Sequence, residues 1–143
     1  MKGSLLHRDL TDKIIGIFYD VYNELGFGFL ESVYEDAMVI ALEEAGLRVE
    51  RQVPTPVWFR NKLLSTFEVD LIVNGVIIIE LKAVKQIAEA HIAQLIHYLR
   101  ATSVEVGLVM NFGHKPEFKR RAFENSRKRS NNDNEPVLKS LFS

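Results

Sequence analysis

The sequence has 143 residues, 18 Lys and Arg against 19 Asp and Glu, 47% hydrophobic residues and no cysteine, the profile of one globular domain large enough to fold around its own core. The missing cysteines exclude zinc-thiolate sites, thiol catalysis and redox switching; no apolar run approaches the ~20 residues of a membrane span, and the charged first ten residues do not suit a signal peptide, so the expected compartment is the cytoplasm, with no membrane partner. A net charge of -1 argues against coating nucleic acid by bulk electrostatics and leaves only local patches open.

Ile14, Phe18, Val21, Tyr22 and Leu25 recur at helical spacing and predict a helix over residues 8–25, stopped by Gly26 and Gly28. A second helix follows, with an apolar stripe of Leu30, Val33, Tyr34, Ala37, Met38, Ala41 and Leu42, and ends at Gly46. Four β-type runs come next, at 47–53, 57–60, 63–73 and 76–84, broken by Pro54, Pro56, Asn61 and Asn74-Gly75. Helical spacing returns over 87–101, with Ala88, Ile92, Leu95 and Leu99 as its core stripe. A buried strand is expected over 105–111 and a short one over 118–123. The order predicts an α/β fold, a mixed central sheet with helices on both faces. The domain is expected to span 1–124, and 125–143 to be a polar, solvated tail whose end, 137–142, is apolar enough to dock.

The hairpin at 67–84 carries the functional signal. A two-residue loop at Asn74-Gly75 would pair Val73 with Val76 and mix Glu80 and Lys82 into apolar surface. A three-residue loop with Gly75 left-handed would pair Ile72 with Val76 and sort the strands cleanly. Phe67, Val69, Leu71, Ile77, Ile79, Leu81 and Ala83 then share one face, and Glu68, Asp70, Ile72, Val76, Ile78, Glu80 and Lys82 the other. Asp70 lies opposite Ile78 and diagonal to Glu80, so two carboxylates and a lysine converge. An exposed Glu80–Lys82 ion pair is the plainer reading and contributes only about 0 to 1 kcal/mol. The apolar opposite face favours a central strand covered on both sides, and a covered carboxylate must be paired or hold a metal.

Two carboxylates, helped by the Leu81 carbonyl between them, suffice for Mg²⁺ or Mn²⁺, which keep most of their waters; a lysine two residues on suits phosphodiester hydrolysis. Scarce histidine and absent cysteine disfavour zinc. GFLESVY at 28–34 resembles the signature of the GxxExxY protein family, a branch of the PD-(D/E)XK nuclease superfamily. Further blocks follow in order: Glu50-Arg51-Gln52, Asp70 with Leu71-Ile72-Val73, Glu80-Leu81-Lys82, the His91, Gln94 and Tyr98 helix, and Gly107-Leu108 leading into Asn111-Phe112-Gly113. The resemblance implies a restriction-endonuclease-like α-β-β-β-α-β core and a divalent-metal site. It makes Asp70 and Glu80 metal ligands, Lys82 the catalytic lysine, Glu31 an acidic residue completing the metal or water shell, and Gln94 a residue of the following helix facing the same site.

Other residues carry weaker signals. Glu31 also suits a helix start whatever the function, and Tyr34 reads as a core tyrosine. On the helix face bearing His91, Gln94 and Tyr98, Gln94 is the residue expected to reach the sheet. Residues 115–129 hold Lys115, Lys119, Arg120, Arg121, Arg127, Lys128 and Arg129 against Glu117 and Glu124. With Phe118 and Phe123 among them, Lys115, Lys119, Arg120 and Arg121 are candidates to bind nucleic acid, DNA in preference to RNA, with little base specificity. A homodimer is expected on mechanism alone, since two strands need two sites. The rival functions are a non-catalytic nucleic-acid- or partner-binding module and a small-molecule phosphoesterase, the latter disfavoured by the missing Gly-rich phosphate loop.

Overall fold

The computed structural model describes residues 6–128. Helices α1 (Arg8–Leu25) and α2 (Glu31–Glu44) lead into strands β1 (Val49–Phe59), β2 (Lys62–Val73) and β3 (Ile77–Lys82). Helix α3 (Glu89–Ala101), β4 (Val106–Phe112), β5 (Pro116–Ala122) and a short 3-10 turn (Asn125–Arg127) complete the chain. The sheet runs in the order β1-β2-β3-β4-β5. Only β3 and β4 are parallel, and α3 makes the crossover between them. The expected core order is present, preceded by α1 and followed by β5.

Helices pack on both faces because the central strands are apolar on both. On one side Ile14 and Phe18 of α1 and Tyr34, Met38 and Leu42 of α2 meet Leu71, Ile79, Leu108 and Met110 of the sheet. On the other, Leu95, Tyr98 and Leu99 of α3 cover Ile72, Ile78 and Val109. The apolar stripe of α2 is narrower than its spacing suggests: Leu30 and Val33 are exposed, since Leu30 precedes the helix. Ala88 likewise stands before α3 and is exposed, while Tyr98 is buried in its place.

Two strand expectations are corrected. Residues 47–53 and 57–60 form one strand through Pro54 and Pro56. An edge strand tolerates proline where its nitrogen faces away from the neighbour, and two prolines two residues apart take the same orientation. At the β2–β3 turn, Asn74 and Gly75 both have positive φ, 52° and 69°, and the Val76 N–H donates to the Val73 carbonyl at 3.0 Å, the pattern of a type I′ turn. Val76 is then an extra residue, so Val73 faces Ile77 and Leu71 faces Ile79. The parity is that of a three-residue loop, but the register differs by two residues from the expected one, and Asp70 comes level with Glu80.

Beyond Leu71, β2 leaves β3 and continues with β1 as a two-stranded ribbon closed by Arg60-Asn61. Free of the flat sheet, such a ribbon twists strongly. Val69 therefore packs with the α3-side cluster, apart from Leu71, and Phe67 lies 6.5 Å from the Tyr98 ring. Expecting Phe67 and Val69 on Leu71's face assumed a flat strand. After β5, Lys128 donates to the carbonyls of Thr102 and Val104 at 2.9 and 2.8 Å, which holds the chain on the domain to the last described residue; most of the expected tail, including 137–142, lies outside the described residues.

Candidate active site

The site forms where the β2–β3 ladder ends, because two side chains continue the pairing that the backbone abandons. The Asp70 N–H donates to Glu80 Oε2 at 2.9 Å, and the Leu81 N–H donates to Asp70 Oδ2 at 2.9 Å. Each carboxylate thus spends one oxygen on the backbone and is fixed in orientation, with the second oxygen left to offer. Glu80 is only 3% exposed, so it is not half of a solvated ion pair. Burial, then the neighbouring Asp70, push its carboxyl up to about 8, and burial raises Asp70 as well. Two desolvated carboxyls side by side disfavour their own ionised form, which is the electrostatic demand a cation would meet.

Lys82, two residues beyond Glu80 on the same face, forms no ion pair among the described residues. Its Nζ donates to Gln94 Oε1 of α3 at 3.3 Å. The ammonium is held beside the carboxylates and still acts on them at a distance, lowering both pKa values against the stronger effect of burial. Gln94 therefore reaches the sheet as its helix position suggests. His91 does not: its Nδ1 accepts the Ala88 N–H at 3.0 Å and closes the first turn of α3. Tyr98 is buried, and desolvation with the nearby Glu80 and Asp70 drives its hydroxyl up to about 12.

The glycine-to-tyrosine motif works as a clamp on the entry to α2. Gly28 has φ 115°, a conformation closed to residues with a side chain. Tyr34, fully buried, stacks on Phe112 at 4.1 Å. Its hydroxyl donates to the Gly26 carbonyl at 2.6 Å and accepts the Phe29 N–H at 3.3 Å. Glu31, the first residue of α2, is fixed by that loop; it is exposed, yet close enough for its charge to raise both Asp70 and Glu80.

Sequence reasoning named Arg51, Gln52 and Asn111 only as blocks of the resemblance, and missed what they and Glu35 do. Glu35, one turn after Glu31, also raises Asp70, but its carboxylate is occupied: Oε2 accepts from Arg51 at 3.1 and 3.0 Å and Oε1 from Gln52 at 2.7 Å. Arg51 also bonds Asp36. Asn111, wholly buried in β4 and level with Lys82, accepts from the Val84 N–H and donates to the Val84 carbonyl, both at 2.9 Å. It pins the segment that follows Lys82. A lone polar residue in the apolar run VGLVMNF was the available signal.

The basic run is divided by the alternation of β5. Phe118 and Ala122 pack toward α1, and Arg120 between them donates to the Leu6 carbonyl. Lys119 and Arg121 take the opposite face, Lys119 level with Val109 and so with Glu80. Arg100 and Arg127 lie over the Phe123 ring at 5.4 and 5.0 Å, and Lys115 is exposed before β5.

Among the described residues no three His, Cys, Asp or Glu side chains lie together to hold a metal by themselves. The two oriented carboxylates that do meet suit a small divalent ion that retains water. No described helix is long and apolar enough to cross a membrane. No curated protein matches the sequence. The crystal structure of SSO0001 is similar in fold, with a TM-score of 0.55 at 19% identity over 77% of this chain and 54% of that one; this chain spans about half the length of that protein. A family model for the PD-(D/E)XK nuclease superfamily matches residues 8–121, the span that holds both helical layers, the sheet short of the last residue of β5 and the carboxylate–lysine site. The chain belongs to the PD-(D/E)XK nuclease superfamily.

Proposed function

We propose that the protein is a divalent-metal-dependent nuclease of the GxxExxY kind that hydrolyses phosphodiester bonds in nucleic acid. The observation that carries this reading is the buried Glu80 carboxylate, fixed beside Asp70 within the same site as the Gln94-held ammonium of Lys82. Asp70 and Glu80, with the Leu81 carbonyl, are the ligands for Mg²⁺ or Mn²⁺, and Glu31 is the acidic residue poised at the edge of that shell. The ion, when bound, supplies Lewis acidity toward a phosphoryl oxygen and toward water. Lys82, held by Gln94, positions the attacking water and offsets negative charge on the phosphate in the transition state. Lys119 and Lys115 attract the polymer backbone without reading its sequence.

The test is cleavage of single- and double-stranded DNA and RNA with and without Mg²⁺. Asp70→Asn keeps an acceptor for the Leu81 N–H, and Lys82→Ala removes an ammonium that forms no ion pair among the described residues and one hydrogen bond to Gln94, so both variants should fold. Each should lower cleavage at least about a hundredfold with little change in the thermal transition. Variants that cut like the parent overturn the assignment.

A further inference from the structure

Between α3 and the β1–β2 ribbon runs a groove of about 640 Å³ that begins at Gln94 and leads away from the carboxylates. Trp58, Phe67 and Tyr98 supply its aromatic surface, and His97 and Arg100 of α3 border it. The β1–β2 register slips beside Trp58, where Val57 faces Ser65, Trp58 faces Leu63 and Leu64 of β2 is the extra residue; such a bulge sharpens the local twist of the ribbon around Trp58. The indole Nε1–H of Trp58 is buried with no acceptor. A buried donor without a partner is unfavourable, and a ligand that parts the side chains over it gains by supplying the missing acceptor. Phe67, facing the same space, is 45% exposed.

We propose that this groove holds an unpaired nucleobase of the substrate strand, so that the polymer taken is single-stranded nucleic acid or a single-stranded segment. This inference rests on the nuclease reading and names its substrate class. A base has a flat π-face for the rings and ring acceptors for the indole N–H. Arg100 and His97 lie where the adjoining phosphates would run, and Gln94, shared with Lys82, joins the groove to the site. Bases stacked and paired within a duplex do not present a free face to such a groove.

Trp58 is the sole tryptophan, so intrinsic fluorescence reads the groove directly. The experiment titrates the full chain, in EDTA to prevent cleavage, with a short single-stranded DNA and with the same sequence as a blunt duplex. The single strand should quench Trp58 and the duplex should not. Ala93→Phe, which places a ring into the groove from an exposed helix position, should weaken the response roughly tenfold or more. Phe67→Ala, at a half-exposed site, should weaken it in the same direction without threatening the fold. No response to the single strand, an equal response to the duplex, or unchanged affinity in both variants overturns the inference. The same titration on Asp70→Asn separates the two readings. Quenching retained in a variant that no longer cuts supports both; metal-dependent, Asp70-dependent cleavage without quenching overturns the groove alone; and quenching beside undiminished cleavage by Asp70→Asn overturns the nuclease assignment on which the inference rests.

Discussion

Glu80 is costly to the metal-free protein. Its carboxyl titrates at about 8 in the fold against an ordinary 4.5, so the folded chain holds a proton that the unfolded chain releases between those values. Stability is therefore fully present below about pH 4.5 and falls as pH rises toward 8, by at most about 1.4 kcal/mol per unit from this one group. Asp70, raised by burial, acts in the same direction. Glu80→Gln preserves the bond from the Asp70 N–H and removes the titration. In metal-free buffer it should flatten the decline and leave the variant more stable than the parent at pH 8 by about 1 to 3 kcal/mol, measured by denaturant melts across pH. A parent whose stability rises over that window would show that Glu80 is ionised without help. The pairing of Asp70 with Glu80 was legible in strand parity, since only one sorting of FEVDLIVNGVIIIELKAV keeps charge off the core. That they stand level and bond each other's backbone was not, because one extra residue after a type I′ turn shifts the register without changing which face a side chain takes. The occupation of Glu35 by Arg51 and Gln52 was illegible for another reason: it joins α2 to β1 over 16 and 17 residues, and no local spacing encodes such a meeting.

At the scale of elements, two side chains outside the carboxylate cluster hold its supports. Tyr34 ties the loop before α2 through its hydroxyl, and Asn111 ties the segment after β3 through both atoms of its amide. Tyr34→Phe keeps the stacking on Phe112 and loses the hydroxyl bonds; it should cost about 1 to 2 kcal/mol. Asn111→Ala strands the N–H and carbonyl of Val84 together and should cost more, about 2 to 4 kcal/mol, with a fall in kcat because Lys82 loses its anchored neighbour. Equal melting temperatures for parent and Asn111→Ala would show that the Val84 segment is held by other contacts. Helix boundaries were legible from apolar spacing, α1 to the residue and α3 to within two, because amphipathic stripes survive whatever packs on them. The strands at 49–59 were less legible. Prolines normally interrupt a strand, and only the knowledge that β1 lies at the sheet edge makes Pro54 and Pro56 harmless.

For the whole molecule, the two layers differ in what they do. The α1–α2 side is the larger core, whereas the α3 side carries Gln94, Tyr98 and the groove under the twisted ribbon. The ribbon's departure from β3 creates both features at once: it ends the backbone ladder at Asp70 and turns Phe67 and Trp58 toward α3. Sequence periodicity describes a flat strand and so could not foresee that turn. The charge polarity of the chain was legible, but its division between the two faces of β5 required the strand itself. Binding of polymer through Lys115 and Lys119 should weaken with salt, about one counterion per phosphate contacted, and their double replacement by Ala should reduce the salt slope by up to about two while leaving the melting temperature nearly unchanged. The central claim is that Asp70 and Glu80 together hold a divalent ion needed for cleavage. Calorimetric titration of Mg²⁺ and Mn²⁺ into the parent and Asp70→Asn, beside a cleavage assay, tests it most directly. The account predicts binding with proton release near pH 7, its loss in the variant, and cleavage that stops in EDTA. Cleavage that persists in EDTA, or ion binding undiminished in Asp70→Asn, would contradict it.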